Sequence, residues 1–412
     1  MVRKTIVIHV DGLTGQSFQE LGNKTVLQSA RTPNLDELAG HGEVGRLGVP
    51  GELRPFSGEM ALLSVLGYDP HKWYTGPGAF EAGGLEVVLD AHDVAYLCHL
   101  VTLRGQDDWG DGKKFGPQLF MADPFGGGIE TAEARELIDA VNEQLISENI
   151  QFYLGNQHRH LMVWVGASGK VACRNPYEAL GQSIDPFLPT GDGSQILREL
   201  MAASRVILCH HPVNQERLDA GLKPANCLWL WGPGKPVELP LLKERWPGKG
   251  MVVSPDGPYV GVGMAAGLQT FKVESMGGGD SAWLEALAKR SSTMLDTHDL
   301  VCLHIPFYAW GLQDGQAVPP SQLVEYLQQV DDQVVGAIHQ SVGNNDSYRI
   351  VVLCTPCSHW QKDGVSSISP YLMFEGQGCK SEAHAVRLDE QEVANRPLRD
   401  ATKLLERFAV SN

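Results

Sequence analysis

The chain lacks long apolar runs. No window reaches about 18 uninterrupted apolar residues, so no membrane-spanning helix is expected. The apolar stretch Thr5–Val10, after Met-Val-Arg-Lys, is too short for a signal peptide and has no small-residue cleavage site behind it. Basic residues are also scarce: 33 Lys and Arg stand against 49 Asp and Glu, a formal net charge of −16. That balance argues against sequence-independent binding to nucleic acid or to an anionic membrane. It does not exclude an anionic small molecule, because a local basic pocket fits inside an acidic surface. There is no internal repeat and no low-complexity tract. What remains is ordinary: 43% hydrophobic and 20% charged residues over 412 positions, enough for about two to three domains with a large core. The eight cysteines lie mostly in apolar runs, so buried thiols in a reducing, cytoplasmic compartment are expected.

Strand-like runs alternate with helical periods along most of the chain. Thr5–Val10 reads as a buried strand ended by Asp11-Gly12, and Thr32 as the N-cap of a helix with Pro33 in its first turn. Thr131–Glu148 has the period of an amphipathic helix. Phe152–Tyr153 and Leu161–Val165 read as strands around a polar turn. Ser194–Ser204 reads as a helix, and Val206–Cys209, Asn226–Trp231, Met251–Ser254, Leu300–Ile305 and Tyr348–Cys354 as strands. Pro320–Gln340 and Glu390–Phe408 read as long helices. Such alternation predicts an α/β fold with a mostly parallel sheet. Ligands of such sheets sit at the carboxyl ends of strands, which singles out Asp11, His210-His211, His304 and Cys354. The loop-rich segment 91–190 reads as an inserted smaller α+β domain, leaving 1–90 and 191–412 as the core.

Several blocks occur in a fixed order: VDG at 10–12, TPNLDELA at 32–39, LGYDP at 66–70, TGPGAFEA at 75–82 and HRHL at 158–161. HPVNQERLDAGLKPAN at 211–226, LWLWGPG at 228–234, GVGMAAG at 261–267, HIP at 304–306 and CTPCS at 354–358 follow. Together they resemble the archaeal-type cofactor-independent phosphoglycerate mutases of the alkaline phosphatase superfamily. The resemblance runs from about residue 4 to about 376. It implies an alkaline-phosphatase-like α/β/α core with an inserted domain. It also implies phosphoryl transfer between the hydroxyls of a glycerate, through a phosphoserine and two divalent cations (Mn, Mg or Zn).

Measured against that resemblance, the catalytic positions are uneven. Asp11 stands where the family has a first-strand metal ligand, although an Asp-Gly turn alone accounts for it equally. Counting back from LGYDP, the family's nucleophilic serine falls on Gly58 and the aspartate after it on Glu59. Ser57, one residue early, is the candidate nucleophile. Phe307, Tyr308, Ala309 and Trp310 occupy an acidic stretch of the family, and Leu312-Gln313 the place of a metal-binding histidine. Val352-Leu353 replaces an Asp-His pair, and a last histidine would fall near Asp363, with His359 earlier. Only Asp11 is kept among the ligands the resemblance implies. One carboxylate does not hold two cations, so loss of metal catalysis is the favoured expectation, with no bound cofactor. A divergent, still active mutase, phosphatase or phosphotransferase is the alternative.

The resemblance assigns substrate contacts to Arg159, His211, Asn214 and Arg217, and arginine suits bidentate recognition of phosphate or carboxylate. The HPVN block reads equally as a structural corner. Two family arginines are missing, at Gly76-Pro77-Gly78-Ala79 and Leu97-Cys98-His99. Cys354-x-x-Cys357-x-His359 has half the ligands of a zinc site and no second CxxC. The expected ligand is a phosphorylated or carboxylate small molecule. A protein partner stays unidentified, and self-association is compatible with the sequence.

Overall fold

The computed structural model describes residues 3–51, 56, 58–105, 109, 112, 115–273, 281–306, 312–313, 316–343, 347–356, 369–375 and 385–409. The chain forms two compact units. One comprises Met1–Tyr74, Glu238–Gln313 and Ala317–Asn412, and the other is essentially Thr75–Val237. The second unit is thus wider than the expected 91–190. The strand Cys227–Gly234 pairs with Asp93–Arg104, and the helix Pro77–Gly84 packs on the same strand. Backbone pairing across that distance in sequence, which spacing alone does not reveal, sets the boundary.

The first unit is built on an eight-stranded sheet. Its spatial order is Gln269–Lys272, Gly250–Ser254, Leu300–Pro306, Lys4–Thr14, Tyr348–Pro356, Pro370–Phe374, Glu43–Gly48 and Leu398–Asp400. All neighbours run parallel except Pro370–Phe374, which is antiparallel to both of its partners. The central strand Lys4–Thr14 is covered on both sides. Because side chains alternate along a strand, Ile6, Ile8 and Val10 face one way, into a core shared with Leu35, Leu38, Leu284, Leu327 and Ile338. Val7, His9 and Asp11 face the other way, and all three are buried.

Pro320–Gln340 does not run as one regular α-helix. It is α-helical over Pro320–Val330, widens to a π-helix over Asp331–Gly336, and resumes over Ala337–Val342. The C-terminal segment also departs from the expected helix. It breaks into a short helix Glu390–Val393, an edge strand Leu398–Asp400 and a helix Leu404–Ala409. Glu43, 3% exposed, draws this segment onto the sheet, accepting from Arg407 Nη1 at 3.0 Å and Nη2 at 2.9 Å. Arg399 Nε lies 2.9 Å from the same carboxylate. A lone charge pattern on a helical period gives no sign of such a tether.

The second unit holds a five-stranded antiparallel sheet: Phe120–Asp123, Asp93–Arg104, Arg159–Val165 and Ile150–Asn156, with Cys227–Gly234 on the other edge of Asp93–Arg104. The helices Thr131–Leu145 and Ser194–Cys209 pack on it through Leu137, Ile138, Leu197 and Met201. Val206–Cys209, read as a strand, is the last turn of that second helix. Leu208 continues the 3.6-residue buried face of Leu197 and Met201 while Val206 is left exposed, and this packing overrides the local strand preference of Val206 and Ile207. This places His210-His211 after a helix rather than after a strand.

Candidate functional site

The parallel register builds the site. His9 lies opposite His304 on the neighbouring strand, and Asp11 lies opposite Thr355 on the other side. All four are at the carboxyl ends of adjacent parallel strands, where such sheets place their ligands. Thr355 Oγ1 donates to Asp11 Oδ1 at 2.6 Å, and the His9 Nε2 lies 2.8 Å from Thr355 Oγ1. The hydroxyl proton is committed to the carboxylate, so His9 Nε2 is the donor and the chain reads His9 to Thr355 to Asp11. Burial drives the His9 imidazole down to about 3, against the pull of Asp11, which keeps it neutral.

His304 closes the other side. Its Nδ1 is 2.8 Å from Ser254 Oγ, and its ring stacks on Tyr259 with centroids 4.0 Å apart and planes 5° from parallel. Its Nε2 makes no hydrogen bond and lies 3.8 Å from Asp11 Oδ2. Burial by itself would raise the Asp11 carboxyl. The imidazoles of His304 and His9 and the Thr355 hydroxyl outweigh it and hold the group at about 2, ionised at any working pH.

Two further carboxylates come close in charge. Glu59, in the first turn of the helix Gly58–Val65, accepts from the Tyr74 hydroxyl. Burial pushes its carboxyl up to about 7, with the negative charges of Asp256 and Asp11 adding to the rise and the Tyr74 hydroxyl opposing it. Asp256, buried after the strand Gly250–Ser254, stands at the N-cap position of the helix Gly257–Ala265 without a side-chain capping bond. A pH dependence follows from Glu59. Between its ordinary 4.5 and about 7 the folded protein holds a proton that the unfolded chain has released. Stability therefore falls as pH rises through that window. Thermal melts at pH 5 and pH 8 are expected to show a drop in the native protein that is smaller in Glu59→Gln; equal drops in both would remove Glu59 as its source.

The other sequence candidates go elsewhere. Ser57, Cys357 and His359 lie outside the described residues, as do Tyr308, Trp310 and Asp363. Leu353 is buried in the strand Tyr348–Pro356. Cys354 is a buried thiol whose pKa burial pushes well up, so it is neither a thiolate ligand nor a redox nucleophile as it stands. In the second unit, Asn214 is wholly buried and stitches a corner together. Its Nδ2 donates to the carbonyls of Leu208 and Ala225, both at 2.9 Å, and its Oδ1 accepts from Ala225 N at 2.8 Å. Arg217 is 4% exposed and gives its donors to Glu133, to the Lys223 carbonyl and to the Gly127 carbonyl. His211 is the N-cap of the helix Pro212–Asp219, its Nδ1 accepting from Val213 N. Arg159 lies 3.4 Å from Glu81. Asn214 and Arg217 thus spend these hydrogen bonds within the protein, as buried polar groups do.

His9, Thr355, Ser254 and Tyr259 were not legible as site residues. His9 carried one signal: it is two positions before Asp11, so strand alternation puts both on one face.

A family model described as 2,3-bisphosphoglycerate-independent phosphoglycerate mutase matches residues 39–214. A probable 2,3-bisphosphoglycerate-independent phosphoglycerate mutase of Geobacter sulfurreducens is 35% identical over 411 residues, covering 98% of each chain. This chain belongs to that family. The 2,3-bisphosphoglycerate-independent phosphoglycerate mutase of Methanosarcina mazei is 32% identical over 85% of each chain. Among solved structures, a Pyrococcus horikoshii protein shares the fold with a TM-score of 0.68 at 24% identity, over 99% of this chain and 97% of that one. The α/β core with its mostly parallel sheet is the fold of this family. No described helix is long and apolar enough to cross a membrane.

The two cations implied by family resemblance can be tested against the donors present. Among the described residues, no group of three or more His, Cys, Asp or Glu side chains is arranged to hold a metal ion. Asp11 Oδ1 is already occupied by Thr355. On the other side the buried His304 Nε2 lies 3.8 Å from Oδ2 with no hydrogen bond. The described donors thus fit part of one cation's shell and not a two-cation centre.

Proposed function

We propose that this protein is a divergent phosphotransferase of the phosphoglycerate mutase type, acting on a phosphorylated small hydroxy acid. The observation that carries this reading is the placement of Asp11. It is an ionised carboxylate at the carboxyl end of the central strand, beside an imidazole nitrogen that makes no hydrogen bond. The likeness to relatives named as mutases, over nearly the whole chain, supports turnover rather than its loss. The expectation of an inactive protein without a cofactor gains no such support. A divalent cation bound at Asp11 would supply charge neutralisation at a phosphoryl oxygen. The chain's own residues do the rest. Ser254 and Tyr259 fix the His304 ring, Thr355 and His9 fix Asp11, and Glu59, titrating near neutral pH, gives a proton to a leaving oxygen or, once ionised, takes one from an attacking hydroxyl.

The test is phosphorus NMR of the purified chain with 3-phosphoglycerate and Mn²⁺ or Mg²⁺. Conversion to the 2-phospho isomer is expected, and its loss in Asp11→Asn. A second reading, binding without turnover, is favoured by the occupied Asp11 Oδ1. It predicts that neither isomer is converted with any added cation while calorimetry still records binding, and that outcome would overturn the first reading.

A further inference from the structure

In the second unit the strand Ile150–Asn156 ends the antiparallel sheet, paired with Arg159–Val165 on one side only. Val165 N donates to the Asn149 carbonyl at 2.8 Å. The register then turns the backbone groups of Asn149, Gln151 and Tyr153 toward that partner. Those of Ile150, Phe152 and Leu154 point the other way, along the outer edge. A row of amides and carbonyls on an outer strand is a template for a further strand. The residues here make a strong template: Asn149–Gln157 reads NIQFYLGNQ, with two aromatic residues, no charge and no proline.

That edge is occupied by side chains of the helix Thr131–Leu145 and by the turn after it. Asn142 Nδ2 donates to the Phe152 carbonyl at 3.1 Å, and its Oδ1 accepts from Phe152 N at 3.3 Å. A side-chain amide has the donor and acceptor of a peptide unit. Giving both bonds to one residue is how an antiparallel strand would hold Phe152. Only one orientation of the amide serves both contacts, since the other sets donor against donor and acceptor against acceptor. Ser147 N donates to the Ile150 carbonyl at 3.0 Å, and at the far end Thr131 Oγ1 accepts from Gln157 N at 3.0 Å. The helix itself is held to the sheet by Ala134, Leu137, Ile138 and Val141, so its packing does not depend on Asn142.

We infer that Asn142 stands in for the next strand and closes this edge against a second copy of the chain. The strand itself sets the occupant it excludes. A second copy paired antiparallel about Phe152 would exchange both outward bonds of Phe152 with the same residue. It would lay Gln151 opposite Tyr153, with no like charges facing. An uncharged edge offers nothing to select a different protein, whereas its own pattern is present in every copy. The inference is independent of the proposed phosphotransfer.

Asn142→Ala and Asn142→Leu in the full chain remove both bonds, and leucine keeps the shape of the side chain should alanine disturb the helix. Sedimentation velocity over a wide range of concentration, with hydrogen exchange of the Phe152 amide, reads the result. In dilute solution that amide is expected to exchange about tenfold faster than in the parent, the scale of one lost hydrogen bond. As concentration rises, both variants are expected to associate beyond the parent, with Phe152 protection returning as they do. Faster exchange with sedimentation equal to the parent at every concentration would overturn the inference. So would association that leaves the Phe152 amide unprotected, or exchange unchanged from the parent.

Discussion

Replacing Arg217 with methionine is expected to cost about 1–3 kcal/mol of stability, the scale for leaving buried hydrogen-bond acceptors without their donor, since Glu133 itself stays partly exposed. The guanidinium is 4% exposed, sits 2.8–3.0 Å from both oxygens of Glu133, and holds the carbonyls of Lys223 at 2.9 Å and Gly127 at 2.6 Å. Methionine fills the volume but leaves all these acceptors without their donor. Urea unfolding followed through the buried Trp229 of the same unit measures the loss directly. Arg217→Lys is expected to recover only a fraction, because an ammonium does not reproduce the planar fork that reaches a carboxylate and two carbonyls together. A variant of unchanged stability with weakened phosphoglycerate binding would return Arg217 to the substrate.

The second large effect is expected at Asp331. This residue has no solvent exposure and opens the π-helical turn Asp331–Gly336. Its carboxylate accepts from Asn34 N at 3.0 Å, Leu35 N at 2.8 Å and Asn34 Nδ2 at 3.0 Å. These are first-turn amides of the helix Pro33–His41, whose own N-cap, Thr32, makes no side-chain capping bond. Asp331 therefore caps that helix from about 300 positions away in the chain. Asp331→Ala leaves the two amides buried without an acceptor and is expected to cost about 2–4 kcal/mol. Asp331→Asn keeps one carbonyl oxygen and is expected to lose less. Thermal unfolding of the three proteins, compared at one pH, tests the order; an alanine variant as stable as the parent would show that Thr32 or solvent takes over the cap.

Both predictions concern residues whose importance a linear reading misplaces. Arg217 drew attention because arginine suits anions, and the same property lets it tie Glu133 to two carbonyls. Asp331 drew none, since an acidic residue on an amphipathic helix ordinarily faces water. The expected N-cap at Thr32 was right in position, with Pro33 in the first turn, while the capping bond itself comes from another element. Regular strands were easier. The Thr5–Val10 run became the middle of Lys4–Thr14, because a buried parallel strand needs apolar, β-branched residues on both faces and little else fits. The C-terminal segment failed as a helix because the tether of Arg399 and Arg407 to Glu43 acts over more than 350 positions, outweighing local helical period.

The sequence by itself determined the family, the α/β class, the central strand and the position of Asp11 at its carboxyl end. Those depend on local composition and on ordered blocks, which survive without knowledge of neighbours. Only the tertiary structure decided what surrounds Asp11. Thr355 reaches one oxygen because two parallel strands lie in register, and His304 faces the other because the strand on the opposite side does the same. Only the tertiary structure, too, showed the internal hydrogen bonds that Asn214 and Arg217 make. A polar side chain is available for chemistry when its bonds are unspent, and whether they are spent depends on contacts that sequence order does not encode.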